Sequence, residues 1–276
     1  MGVRYAEVIG DPIGHSLSPT IHRFWLDRLG LAGRYEAVRV SPADFPRYLA
    51  KRCADPFWRG CSVTAPLKQA AAALVSDPTG VCRRIGACNA IFRSPLGCGI
   101  GANTDVVGVA AALPPAAVTG KKVCLIGAGG AARAVLEYLR LHRPAEVALL
   151  VRDPARATAA ADLPLQGEFR GFDEAEAALA GAGCVVNASP LGMSGMPPLP
   201  PAVVGAVEAT AEDAYVLDLV YAPLETELLR RADACGRRPV DGLAVLVGQA
   251  APAFELFFGV APPRDGDAEL RERLER

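Results

Sequence analysis

Two residues in the first half of the chain have the side chains needed to exchange a proton with a substrate. Lys68 ends the run SVTAPLK at 62–68, and Asp105 ends the run GANTD at 101–105. An ammonium and a carboxylate can take a proton from an alcohol, or return it to a ketone, while a nicotinamide carries the hydride. Because an isolated lysine has a pKa of about 10.4 and is a reluctant base, we assign proton transfer to the pair without choosing the microscopic base. The pattern predicts reversible oxidation of an alcohol without a metal.

A glycine-rich turn further along the chain predicts the site for that cofactor. The apolar run VCLI at 123–126 is followed by Gly127-x-Gly129-x-x-Ala132 and then by an Ala/Leu-rich helix to about residue 141. Gly127 permits the tight turn, Gly129 lets backbone N–H groups approach a pyrophosphate, and Ala132 allows close helix–strand packing. The alternative is a small-residue turn of no special function. The preceding strand and the following helix favour the cofactor site, which we assign to Gly127, Ala128, Gly129, Gly130 and Ala131.

The end of the next strand indicates which cofactor is used. Arg152 directly follows this strand, and Asp153 and Arg156 come next. An acid here would bind the ribose 2′-hydroxyl of NAD, whereas arginines would pair with the 2′-phosphate of NADP. We favour NADP, with Asp153 as a cap of the following helix. NAD binding through Asp153 and a simply solvated face stay open as alternatives.

Composition excludes several classes of function. The chain has 276 residues, a net charge of -1 and no basic run, so nucleic acid is not expected as a partner. Apolar stretches are too short to span a membrane, and no signal peptide is evident, so we expect a cytoplasmic enzyme, either monomeric or homodimeric. The eight cysteines form no CxxC pair, and there are only three histidines. We therefore expect no metal site, and cysteines that are reduced and mostly buried.

Strands that alternate with helices predict an α/β protein with two domains. Residues 1–105 read as a mostly parallel sheet with one hairpin, and they are predicted to bind the substrate. Residues 106–239 read as a Rossmann domain, and 240–276 return to complete the first domain. We expect the active site in the cleft between the two domains.

The order of motifs along nearly the whole chain resembles the shikimate dehydrogenase family. The matching segments are GDPIGHSLSP (10–19), SVTAPLK (62–68), IGACNA (85–90), GANTD (101–105) with Gly108, GAGGAAR (127–133), DLVYAP (218–223) and DGLAVLVGQA (241–250). The resemblance implies a two-domain enzyme that reversibly reduces 3-dehydroshikimate to shikimate with NADP. It also assigns Lys68 and Asp105 as the catalytic pair.

The same resemblance implies the remaining site residues. Ser16 and Ser18, helped by Tyr221, are expected to bind the substrate carboxylate, and Ser18 is also the candidate N-cap of the first helix, with Pro19 at its first helical position. The ring hydroxyls are assigned to side chains along the first domain and the returning helix, namely Ser62, Thr64, Asn89 and Gln249. Met193 and Gly242 join the cofactor site, although Met193 is equally plausible as ordinary packing.

Three positions depart from the family pattern. Ser62 and Arg23 stand where asparagine is common, and Val151 replaces the asparagine often found before Arg152. A serine at 62 removes a bidentate amide, so the pocket would bind less tightly or accept a different ring substituent. One alternative is therefore an NAD-using dehydrogenase of quinate, shikimate or an amino analogue. Another is a sensor that binds cofactor and metabolite without turnover.

Overall fold

The computed structural model describes residues 2–95, 97–159 and 162–276. By its internal contacts the chain divides into two compact units. The first consists of the residues up to Thr104 together with Gln249–Arg276, and the second consists of Asp105–Gly248. The contact division falls at 104/105 and 248/249, close to the predicted boundary at 105 and later than the predicted return at 240.

The first unit is a five-stranded sheet with helices on both faces. β1 and β2 are parallel, as are β1 and β3, whereas β4 and β5 form the predicted antiparallel hairpin, and the strand order is β2-β1-β3-β4-β5. Its elements up to Thr104 are β1 (Arg4–Gly10), α1 (Ser18–Arg28), β2 (Gly33–Arg39), α2 (Phe45–Ala54), β3 (Trp58–Val63), α3 (Lys68–Leu74), α4 (Val81–Ile85), β4 (Ala90–Ser94) and β5 (Gly97–Ala102).

The second unit has six parallel strands in the order β11-β10-β9-β6-β7-β8. This is the Rossmann order, in which the direction of strand addition reverses between β6 and β9. Its elements are α5 (Asp105–Ala112), β6 (Lys122–Ile126), α6 (Gly130–His142), β7 (Glu146–Val151), α7 (Pro154–Ala159), β8 (Glu168–Gly171), α8 (Ala175–Leu179), β9 (Cys184–Asn187), α9 (Pro201–Gly205), β10 (Tyr215–Asp218), α10 (Glu227–Ala234) and β11 (Arg238–Val240). The α/β fold class is confirmed.

Two further helices follow β11 along the chain. α11 (Gly242–Phe258) begins with residues of the second unit and continues into the first, and α12 (Asp267–Leu274) lies in the first unit. Phe257 of α11 packs with Ala6 and Tyr35 on one face of the first sheet, while Trp58 and Ile9 lie in a second core on the α2 side. No helix in the described part of the chain is long and apolar enough to cross a membrane.

A buried carboxylate anchors the α2 face of the first sheet. Glu7 of β1 is only 1% exposed and accepts two hydrogen bonds from Arg52 of α2, at 2.9 and 2.7 Å. It also accepts from Tyr48, and from Nε1 of Trp58 at 3.2 Å. These donors satisfy a charge that would otherwise be costly to bury. The network thus couples α2 to two strands.

Two details differ from the predictions. Ser18 is not the N-cap, because α1 already begins at Ser18, and the N–H of Ser18 donates instead to Oγ of Ser16 at 3.3 Å. The expectation that the cysteines are all reduced is wrong for one pair, since Cys53 and Cys98 form a disulfide with a Cα–Cα distance of 5.6 Å. The pair is 45 residues apart in sequence, so spacing gave no signal, whereas β5 and the end of α2 bring the two residues together. The other six cysteines are free, and five of them are buried.

Candidate active site

Three polar side chains of the first unit form a buried hydrogen-bonded group. Nδ2 of Asn89 donates to Oγ1 of Thr104 at 2.9 Å and to Oε1 of Gln249 at 3.4 Å, while the Thr104 hydroxyl donates to Gln249 at 3.3 Å. Oδ1 of Asn89 accepts from the Thr104 backbone N–H at 2.6 Å. All three residues are at most 9% exposed. The structure thus brings the predicted Asn89 and Gln249 together and adds Thr104, which the sequence analysis missed although it directly precedes Asp105.

Two other predicted substrate residues lie on and just after β3. Ser62 is buried, and its Oγ accepts a hydrogen bond from the Tyr35 hydroxyl at 2.8 Å. Thr64 follows the strand, two residues further on, and is half-buried. Tyr35 lies on the face of the sheet that packs against α11, and its hydroxyl reaches Ser62 from that face. Ser62 therefore faces the side of the sheet that α11 covers.

Lys68 and Ser16 are held at the starts of two helices of this unit. Lys68 is the first residue of α3, half-buried, and its carbonyl accepts from the N–H of Cys88, one residue before Asn89. Ser16 precedes α1, and Ser18 starts it. The first N–H groups of a helix have no intrahelical acceptor, so both hydroxyls lie where positive potential suits an anion.

Asp105 and Tyr221 belong to the second unit. Asp105 is the first residue of α5 and directly follows Thr104 in the chain. Tyr221 lies in the loop after β10, where burial raises the pKa of its hydroxyl above the ordinary value, so that it is a neutral hydrogen-bonding group. Their predicted roles, proton transfer by Asp105 and carboxylate binding by Tyr221, stay predictions.

The glycine-rich turn lies at the point where the strand order reverses. Gly127 follows β6 with a φ of +101°, and a Cβ there would lie 3.2 Å from Cβ and N of Ser189 in the loop after β9. Only glycine adopts this conformation readily and permits this approach. The helix α6 begins at Gly130, and the N–H groups of its first turn have no intrahelical acceptor. Ala132 is fully buried in the core, so the turn has the form of a pyrophosphate cradle.

The three residues that are predicted to choose the cofactor follow β7. Arg152 and Arg156 are exposed, and the structure gives neither guanidinium a partner among the described residues. Asp153 accepts a hydrogen bond from the N–H of Arg156 at 3.0 Å, which is the geometry of an N-cap of α7. The carboxylate is thus used by the helix, and the two guanidinium groups remain available for a phosphate.

A buried network ties together the two loops that carry Met193 and Tyr221. Oδ1 of Asp218 accepts from Asn187 at 2.9 Å and from the N–H of Val220 at 3.0 Å, and Oδ2 accepts from Thr226 at 2.8 Å. Asn187 also donates to the carbonyl of Leu191. Burial raises the pKa of Asp218 to about 6. This network was not predicted from the sequence, although the polar residue at the end of each apolar strand was a visible signal.

The contacts of these two loops also show how Met193 and Gly242 are held in place. The N–H of Ser194, next to the half-buried Met193, donates to the carbonyl of Ala222 at 2.7 Å. Gly242 starts α11, and a Cβ there would lie 2.6 Å from the carbonyl oxygen of Leu219. Glycine at 242 is therefore required by packing against the loop after β10, whether or not a cofactor contacts it.

The described residues contain no group of three or more His, Cys, Asp or Glu side chains arranged to hold a metal ion.

Comparison with known proteins identifies the family. A profile described as the shikimate dehydrogenase substrate binding domain matches residues 8–91, and one described as the shikimate 5'-dehydrogenase C-terminal domain matches residues 242–268. The shikimate dehydrogenase (NADP(+)) of Sphingopyxis alaskensis is 48% identical over 98% of this chain and 96% of its own length.

Two solved structures support the same family. The shikimate 5-dehydrogenase of Thermus thermophilus in complex with NADP(H) and shikimate has a TM-score of 0.81 and 35% identity, covering 98% of this chain and 99% of its own. The quinate dehydrogenase of Corynebacterium glutamicum in complex with NAD has a TM-score of 0.84 and 30% identity, with the same coverage of 98% and 99%. On the strength of the full-length identity and the shared order of motifs, this chain belongs to the shikimate dehydrogenase family.

Proposed function

We propose that this protein catalyses the NADP-linked, reversible reduction of 3-dehydroshikimate to shikimate. The observation that carries the proposal is the buried group of Asn89, Thr104 and Gln249, in a chain that is nearly half identical to NADP-dependent shikimate dehydrogenases. Amides and a hydroxyl that already satisfy one another can exchange those bonds for bonds to a polyol ring. A substrate that breaks those bonds but lacks the matching hydroxyl would leave one of the groups unpaired, and this gives strong discrimination.

The cofactor fits the second unit. The first turn of α6 offers free N–H groups to a pyrophosphate, and Gly127 keeps the approach open. Arg152 and Arg156 are exposed beside the strand end and would pair with the 2′-phosphate, while Asp153 is engaged as a helix cap. NADP, when bound, supplies the hydride chemistry.

The protein residues carry the proton. As the substrate alcohol is oxidised, its oxygen loses a proton to the pair of Lys68 and Asp105, and in the reverse direction the pair returns it. Ser16, Ser18 and Tyr221 would hold the carboxylate and fix the ring. Ser62 and Thr64 would hold the hydroxyl side of the ring from β3. The cytoplasmic location and the monomeric or homodimeric state stay predictions, which cell fractionation and light scattering would test.

The decisive experiment is a comparison of four substrate and cofactor combinations. Shikimate and quinate are each assayed with NADP and with NAD, by following the absorbance of the reduced nicotinamide. Turnover that strongly prefers shikimate with NADP supports the proposal. Equal or better turnover with quinate and NAD would contradict it and favour the alternative enzyme. Binding of both ligands in calorimetry without turnover would favour the sensor.

Variants separate the two halves of the proposal. Lys68→Ala should lower kcat by about 100-fold or more, because one member of the proton-transfer pair is lost, whereas Lys51→Ala, which removes an exposed lysine of the same unit, should not. Arg152→Ala should weaken NADP binding about tenfold and leave NAD binding almost unchanged, since only NADP carries the 2′-phosphate. Normal turnover by a folded Lys68→Ala protein would refute the proton-transfer assignment.

The second candidate, a quinate or shikimate dehydrogenase that uses NAD, is favoured by two observations. Ser62 is shorter than the asparagine common in the family, and the chain is 30% identical to a quinate dehydrogenase bound to NAD. The assay with four combinations decides between the two candidates.

A further inference from the structure

Tyr35 connects the two positions of the first unit at which the sequence departs from the family pattern. From β2, its hydroxyl donates to Oγ of Ser62 on β3 at 2.8 Å. Its backbone carbonyl accepts from Nε of Arg23 on α1 at 2.9 Å. β1 lies between β2 and β3, and its residue opposite Tyr35 is Ala6, which is small enough for the ring to pass over it. The two departures therefore meet at one residue, Ser62 at its hydroxyl and Arg23 at its backbone carbonyl.

The ring of Tyr35 is fixed by packing. It stacks on the imidazole of His22 with a centroid distance of 3.8 Å and an angle of 5° between the planes, and both side chains are fully buried. Burial lowers the pKa of His22 to about 3, so the imidazole is neutral, and neither of its nitrogens has a hydrogen-bond partner among the described residues. His22 thus holds the Tyr35 ring by its face and does not compete for the hydroxyl.

The direction of the hydrogen bond follows from burial. Among the described residues, Ser62 is the one partner of the Tyr35 hydroxyl, so the phenolic proton must point at Ser62. The reverse arrangement would leave unpaired the phenolic O–H of Tyr35, which is fully buried, whereas Ser62 keeps 6% of its surface exposed. Burial raises the pKa of Tyr35 far above its ordinary value, and the proton stays in place over any practical pH range. The proton of Ser62 is then left over, and the described part of the chain offers it no acceptor.

We propose that Tyr35 is a positioning residue that makes Ser62 a hydrogen-bond donor to the substrate. The proposal rests on the proposed function, in which Ser62 contacts the ring acid. Tyr35 takes one of the two lone pairs of the Ser62 oxygen, but the Ser62 proton still needs an acceptor. Ser62 therefore selects an oxygen that accepts a hydrogen bond, such as a hydroxyl or carboxylate oxygen, and a group that can only donate would leave its proton unpaired. An asparagine at 62 would offer both a donor and an acceptor. The pair of Tyr35 and Ser62 therefore disfavours a substituent that can only donate, such as an ammonium group, at the ring position that faces it.

The test is a double-mutant cycle in the full-length enzyme. Ser62→Ala and Tyr35→Phe should each raise the KM for shikimate about fivefold, because each removes or misdirects one hydrogen bond, while kcat changes by less than about twofold. The double variant should be no worse than Ser62→Ala, because Tyr35 acts only through Ser62. Multiplied effects in the double variant, or an unchanged KM in Tyr35→Phe, would overturn the proposal.

Tyr48→Phe is the matched control. Tyr48 also donates a hydroxyl in the first unit, but to Glu7 in the core on the α2 side of the sheet. Its loss should lower stability without changing the KM, so an equal rise in KM would mean general loosening and would overturn the proposal. An unchanged KM in Ser62→Ala, with turnover still dependent on Lys68, would refute this proposal and leave the proposed function standing. A wild-type protein without turnover would refute both.

Discussion

The buried carboxylate of Asp218 should make the stability of the second unit depend on pH in a direction opposite to that of an ordinary ion-paired aspartate. Asp218 is fully buried, no cation contacts it among the described residues, and its pKa is raised from 3.8 to about 6, mainly by burial. Ionising it therefore costs about 3 kcal/mol more in the folded protein than in the unfolded chain. The three hydrogen bonds that its oxygens accept offset part of the burial cost but not all of it.

The sign follows from proton linkage. A group whose pKa is higher in the folded state keeps its proton longer there, so its contribution to stability is lost as the pH rises from about 3.8 to about 6. Between about pH 5 and about pH 7.5 this loss amounts to about 1.4 kcal/mol. Asp218→Asn cannot titrate, so the wild-type protein should lose about 1.4 kcal/mol relative to the variant over that interval.

The assay is urea unfolding of both proteins at the two pH values, followed by far-UV circular dichroism. Both tryptophans, Trp25 and Trp58, lie in the first unit, so their fluorescence would not report on Asp218. Asp233→Asn, which removes an exposed carboxylate from the same unit, controls for the change in charge. Asp218→Asn also removes the acceptor for the Thr226 hydroxyl, but the resulting loss of stability is the same at both pH values. Parallel stability profiles for wild type and Asp218→Asn would refute the reasoning.

Two predictions concern the first unit. Arg52→Ala should lower the free energy of unfolding of this unit by about 3 kcal/mol, because Glu7 then keeps a buried charge without its cation. Tryptophan fluorescence reports the unfolding, and Lys51→Ala is the control. A free energy of unfolding that stays unchanged within error in Arg52→Ala would contradict the role of the pair. The disulfide of Cys53 and Cys98 closes a loop of 45 residues and should contribute about 4 kcal/mol. Wild-type protein should lose that amount when reductant is added, whereas Cys53→Ser/Cys98→Ser should not respond; equal responses would show that the bond does not stabilise the fold.

The elements with strong local signals were predictable from the sequence. β6, its glycine turn and α6 combine a short apolar run with small residues and a regular helix pattern, and no tertiary contact is needed to recognise them. By contrast, β8 and β11 were missed. They are edge strands of four and three residues, and charged or proline residues such as Arg238 and Pro239 hide their pattern.

The residues of the site also include some that were predictable from the sequence and some that were not. Asn89 and Gln249 were predictable from the family resemblance, but their contact with each other depends on α11, which brings together residues 160 positions apart. Tyr35 and Asp218 were not predicted, because nothing in the sequence near them says that Ser62 or Thr226 will be the partner. A hydrogen bond across a sheet or between two loops depends on how the chain folds, so it cannot be predicted from a single sequence before the fold is known.

The polar groups of this site share one physical feature, which bears on how the enzyme would choose its substrate. Asn89 bonds to Thr104 and Gln249, and Tyr35 bonds to Ser62. A substrate hydroxyl that meets Asn89, Thr104 or Gln249 replaces an existing hydrogen bond, so such a contact adds little affinity. A wrong substrate, however, breaks those bonds without replacing them and bears the full cost of an unpaired buried group. We therefore expect this arrangement to contribute more to the rejection of near analogues than to tight binding of shikimate, and the variants at 35 and 62 should lose discrimination before they lose turnover.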